Sequence, residues 1–110
     1  MPAELEWDGL DPACIHVLAY VNGELPVGTA RLLDDGHIGR MAVLRPWRRR
    51  GIGSRMLETL IEVARQTGKS GCALNAQTHA LGFYERHGFV AEGGIFDDAG
   101  IPHRHMKLKL

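Results

Sequence analysis

The sequence predicts an α+β fold in which an antiparallel meander of strands runs into a parallel strand–helix–strand crossover, with two main helices packed on a mixed sheet. Three observations predict it. Three β-rich apolar runs follow one another with turn residues between them, an amphipathic helical stretch comes next, and a short buried run follows that helix. At 110 residues and 12.1 kDa, the chain supports one domain over residues 1–110, large enough to bury roughly 65% of its unfolded surface.

The first strand is expected over Ile15 to Tyr20, and Asn22-Gly23 behind it is a strong hairpin signal leading into Leu25 to Leu33. Asp34-Asp35-Gly36 turns the chain into a third strand, His37 to Val43, closed by Pro46, which cannot donate to a ladder. Met56, Leu57, Leu60, Ile61 and Ala64 then recur at helical spacing, with Glu58, Glu62, Arg65 and Gln66 on the opposite face. This helix is expected to start near Ser54 and to stop at Gly68. Cys72 to Ala76 reads as a short buried strand reached by a right-handed crossover. A second helix is expected from about His79 to His87, ending at Gly88. Phe89 to Ala91 and His103 to Leu110 read as two last strands joined by an Asp/Gly-rich loop.

Composition narrows the function classes. With 45% hydrophobic and 24% charged residues, the chain reads as a soluble globular protein. No apolar stretch is long enough to span a bilayer, and the acidic start Met1-Pro2-Ala3-Glu4 is no signal peptide, so a cytoplasmic location without a membrane partner is expected. Cys14 and Cys72 have no neighbouring cysteine and read as buried reduced thiols. Six histidines raise a metal reading, centred on His103 and His105 on one face of a strand; spacing places no third ligand, and no metal is expected. A nucleic-acid surface built from Arg45, Arg48, Arg49, Arg50 and Arg55 with Trp47 as a stacking platform is weighed and set aside, because the formal net charge is +0 and one short basic run gives few phosphate contacts.

The chemical clue is Arg48-Arg49-Arg50-Gly51-Ile52-Gly53, placed between the third strand and the first helix. Glycines let a ligand approach the backbone, and a helix start offers unpaired N–H groups at a positive dipole end, so the segment reads as a diphosphate site. It is neither a P-loop, since Ser54-Arg55 follows Gly53, nor a dinucleotide fingerprint, since Met56 stands where a third glycine is needed.

Together with Phe83-Tyr84-Glu85-Arg86-His87-Gly88-Phe89, this loop resembles the GNAT N-acetyltransferase family. Arg48-x-x-Gly51-x-Gly53 resembles that family's acetyl-CoA diphosphate loop, and Phe83-Tyr84 with Gly88-Phe89 its C-terminal signature. The closer similarity is to the ElaA-type subgroup, through Ala76-Gln77-x-His79 and Gly100-Ile101-Pro102-His103. The resemblance implies acetyl-CoA as cosubstrate, its diphosphate held by backbone N–H groups from Arg49 through Ser54 (Arg49, Arg50, Gly51, Ile52, Gly53 and Ser54) with Arg48 adding charge. It implies that the third strand splays from the strand over Cys72 to Ala76 and that pantetheine enters the gap like an added strand, held by Met41, Ala42 and Val43, one of whose N–H groups polarises the thioester carbonyl. Asn75 and Phe83 are placed with the cofactor-binding residues. Tyr84 is expected to protonate the departing thiolate. The general base stays open among Glu6, Asp8, His79 and His103.

Members of the family usually open with a strand and two helices before the meander, whereas about a dozen residues precede Ile15 here. An absent arm leaves two accounts: a truncated product with an exposed apolar sheet edge, or a homodimer whose second subunit completes the acceptor pocket. The expected function is transfer of acetyl from acetyl-CoA to a primary amine in a ternary complex. The alternative is a catalytically impaired CoA-binding or regulatory module.

Overall fold

In the computed structural model, residues 4–8, 14–21 and 25–110 are described. The chain runs through β1 (Glu4–Asp8), β2 (Cys14–Val21), β3 (Leu25–Leu33), β4 (Ile38–Val43), α1 (Ile52–Gln66), β5 (Gly71–Gln77), α2 (Leu81–Glu85), β6 (Val90–Asp98) and β7 (Ile101–Lys109), with 3₁₀ turns at Arg45–Trp47 and Thr78–Ala80. The expected Asn22-Gly23 turn lies outside the described residues.

The mixed sheet is realised as two antiparallel sheets, ordered β1-β2-β3-β4 and β5-β7-β6. They meet at one parallel bridge, His37 to Ala73, where the Ala73 amide donates to the Gly36 carbonyl at 3.0 Å. Beyond it β4 and β5 separate. The separation is helped by a bulge: Thr29 pairs with Ala42 and Arg31 with Gly39, so Ala30 of β3 opposes both Arg40 and Met41 of β4. An extra residue bends and twists its strand.

Helix α1 joins the two sheets. Its apolar stripe, Met56, Leu57, Leu60, Ile61 and Ala64, is buried as its spacing requires, against Val17, Ala19, Val27, Ala30 and Leu32 of the first sheet. Gly28 marks the closest approach, since a Cβ there would lie 3.0 Å from the Met56 methyl and 3.3 Å from the Ala42 carbonyl oxygen. The same core continues into Cys72, Leu74, Ala76, Phe89 and Met106. Full burial of each large apolar side chain contributes about 1.5–3 kcal/mol, and this fixes the position of the helix start that faces the splayed strands.

Three elements differ from the sequence expectation. Strand β1 is not anticipated, because the first element expected from sequence begins at Ile15; the alternation places both glutamates outward and Leu5 against the core. Strand β6 is far longer than Phe89 to Ala91. Gly93-Gly94 and Asp97-Asp98 read as a loop, yet the strand absorbs the glycines in a bulge between Glu92 and Phe96, braced by Arg104, whose Nε and Nη2 donate to the Gly93 carbonyl at 3.2 and 2.8 Å. Helix α2 is shorter than expected, since its first turn is the 3₁₀ segment Thr78–Ala80.

Candidate functional site

Helix α1 begins two residues before Ser54, and this sets which amides are free. Gly51 caps it with φ 80°, a left-handed conformation that glycine adopts without steric cost. The Arg55 amide is the first to close back, onto the Gly51 carbonyl at 3.1 Å, so the amides of Ile52, Gly53 and Ser54 precede the helical ladder. No acidic residue occupies the first turn to compete for them. Arg49, in a left-handed conformation at φ 63°, turns the chain into this cap.

The arginines are not equivalent. Arg48 donates from Nε to the Val43 carbonyl at 2.9 Å, tying the loop to the end of β4 while its side chain lines the cleft. Arg50 lies over the Trp47 ring at 4.9 Å, a cation–π contact that covers one face of the indole. Ile52 has its side chain in the core and offers only its backbone. Ser54 Oγ lies 3.1 Å from His87 Nε2, leaving its amide for a ligand.

Between the splayed strands lies a cleft of about 580 Å³. Met41, Ala42 and Val43 line it from β4, Leu74, Asn75, Ala76 and Gln77 from β5, and Phe83 and Tyr84 from α2; Arg48 and Gly53 complete the loop side. The Phe83 ring stands beside the helix start, so that a Cβ at Gly53 would meet its Cζ at 3.6 Å. Thus the glycine loop and the aromatic pair belong to one cavity, although some thirty residues separate them in sequence.

Tyr84 is half-buried, edge-on to Phe83 at 5.0 Å and to Phe89 at 5.9 Å. Its hydroxyl reaches across to the Met41 Sδ at 3.9 Å. Burial pushes the phenol above its ordinary pKa, since the charged phenolate loses more hydration than the neutral form. The group therefore stays a proton donor.

Asn75 lines the cleft, but its Oδ1 is hydrogen-bonded to His105 Nδ1 at 2.9 Å. Its amide nitrogen is what remains for a ligand. Among the candidate bases, His79 and His103 line the cleft. Glu6 lies on β1, at the opposite edge of its sheet from β4. Asp8 pairs with His16 through its strand, and its side chain lies outside the described residues. His103 and His105 turn to separate partners, and among the described residues no three His, Cys, Asp or Glu side chains form a metal-sized group. No described helix is long and apolar enough to cross a membrane.

Sequence reasoning did not find His87 as the residue holding Ser54, nor His105 as the partner of Asn75. Both contacts cross between elements distant in sequence, and His87 carried only the signal of standing inside the Phe83 to Phe89 motif.

Residues 10–110 match the acetyltransferase (GNAT) domain family. The chain is 42% identical over 110 residues to an uncharacterized N-acetyltransferase, YjcF, of Bacillus subtilis, covering 96% of this chain and 78% of that protein. Among solved structures it superimposes on Escherichia coli ElaA with a TM-score of 0.78 at 27% identity, over 91% of this chain and 74% of ElaA. It shares its fold with a Bacillus subtilis acetyltransferase crystallised in complex with CoA, at a TM-score of 0.79, 17% identity and 99% coverage of both chains.

Proposed function

The chain belongs to the GNAT acetyltransferase family, and from that premise we propose that it transfers an acetyl group from acetyl-CoA to a primary amine by direct attack in a ternary complex. One observation carries the reading: Gly53 of the unladdered helix start, residues of the separated strands β4 and β5, and Tyr84 all line one cleft. The amides, with the loop around Arg49 and Arg50, take the diphosphate. Met41, Ala42 and Val43 hold the pantetheine arm along the open edge of β4, with the Asn75 amide nitrogen and the Phe83 ring beside it. An N–H of the bulged stretch polarises the thioester carbonyl as negative charge develops on its oxygen. Tyr84 protonates the departing thiolate.

The Ala76-Gln77-x-His79 and Gly100-Ile101-Pro102-His103 segments, with the superposition on ElaA, support placing the chain in the ElaA-type subgroup. A homodimer completes the acceptor side in this proposal, and β6, exposed along nearly all its length and, among the described residues, paired only with β7, is the edge a second copy would use. A monomeric sedimentation profile at assay concentrations removes that part.

Isothermal titration with acetyl-CoA, followed by thiol release across a panel of amines, tests the core of the proposal. Saturable binding with amine-dependent CoA release is expected. Binding without such release instead supports the CoA-binding module, and no binding overturns both.

A further inference from the structure

His103 is a cleft imidazole whose surroundings already decide which nitrogen carries the hydrogen. Its Nδ1 lies 2.8 Å from the Ile101 carbonyl oxygen. A carbonyl can only accept, so Nδ1 holds the hydrogen and, in the neutral ring, Nε2 holds the lone pair. Phe96 fixes the ring a second time, stacked at 6.0 Å with 26° between planes. Strand β7 sets His103 opposite Gln77, and its side chain lines the cleft that also holds Tyr84.

The other candidates lack this arrangement. No Asp or Glu lines the cleft among the described residues. His79 lines it, but is exposed and has no hydrogen-bond partner among the described residues to set its tautomer. His105 does not line the cleft, and its Nδ1 is hydrogen-bonded to Asn75 Oδ1 at 2.9 Å.

We propose that His103 is the general base of the transfer, taking a proton from the acceptor ammonium through Nε2. This rests on the reading of the cleft as an acetyl-transfer site. The freed amine lone pair forms the C–N bond at the thioester carbonyl, and collapse of the tetrahedral adduct breaks the C–S bond. The leaving thiolate takes the Tyr84 proton, and the second proton shed by the amine nitrogen refills the phenol. The imidazolium returns its proton to solvent, so the products are amide, CoA thiol and one proton.

The base works only when neutral, so the rate falls as pH falls. Titratable and charged groups on the elements around His103 are His79 on the turn before α2, Tyr84 and Glu85 on α2, Arg104, His105, Lys107 and Lys109 on the same strand, Glu92, Asp97 and Asp98 on β6, and Cys72 on β5; the β5 residue paired with His103 is Gln77, which does not titrate.

Histidine ¹⁵N NMR of the full chain, with the resonance assigned through His103→Gln, reads the tautomer directly. The Nδ1–H form is expected, and an Nε2–H form overturns the proposal. Thiol release with the fastest amine of the panel is then compared with hydroxylamine, which reaches the site already neutral. His103→Gln should bind acetyl-CoA as the wild type does, lose about 10²–10⁴-fold in kcat/KM for the amine, replace the wild-type acid limb by a fall that follows the amine's own ionisation, and spare hydroxylamine. Equal losses with both nucleophiles, or the same change of acid limb in His79→Gln instead, overturn it. A wild type that does not bind acetyl-CoA overturns the reading of the cleft itself, and this assignment with it.

Discussion

At the scale of single residues the account turns on Tyr84, a phenol held between two aromatic rings with its hydroxyl at the mouth of the gap between β4 and β5. Burial disfavours the phenolate, so the acid form persists across the working pH range and is lost only as pH rises through a raised pKa. We expect Tyr84→Phe to leave acetyl-CoA affinity unchanged and to lower kcat by about 10²–10⁴-fold, with the alkaline fall of the wild-type kcat/KM profile lying above the ordinary tyrosine value of about 10. Steady-state thiol release against pH checks both. A wild-type rate in the variant would remove Tyr84 from the mechanism. Tyr84 was legible in the sequence because it stands within a spaced motif with Phe83, Gly88 and Phe89. The bond from Arg48 to the Val43 carbonyl was not, because its acceptor is a main-chain atom and no side-chain pattern marks it.

At the scale of elements, the loop and helix start carry the binding chemistry, and their geometry depends on two glycines with different tasks. Gly51 supplies the left-handed cap; Gly53 keeps the first turn bare beside Phe83. Because a Cβ at Gly53 would make only an ordinary 3.6 Å contact and valine is no poorer a helix former than glycine, Gly53→Val should fold normally. Its side chain would stand where the diphosphate approaches the amides, so titration should show acetyl-CoA affinity at least about tenfold weaker, or about 1.4 kcal/mol. Unchanged affinity would count against the site. Helix α1 was readable from its apolar period almost to the residue, and the meander strands from their alternation and turns. Strand β6 was hidden by Gly93, Gly94 and the aspartates, whose local preference for a loop is overridden by pairing with β7 and the brace from Arg104. Strand β1 was hidden because three of its five residues are acidic and only pairing with β2 makes them a strand.

At the scale of the whole molecule, two sheets share one core through α1 and, among the described residues, are joined by a single parallel bridge, so the cleft exists only while that core is intact. Leu60, fully buried in α1, belongs to that shared core. Leu60→Ala should cost about 2–5 kcal/mol, seen as a lower urea midpoint with an unchanged slope in one cooperative transition; two separate transitions would show that the sheets fold independently. The central claim is that main-chain amides at the start of α1 bind the coenzyme's diphosphate, and amide-resolved NMR titration tests it most directly. Added CoA should shift the Ile52, Gly53 and Ser54 amides saturably, while pantetheine, which lacks the diphosphate, should shift β4 and leave those three unmoved. CoA binding that leaves the three amides where they were would contradict the account.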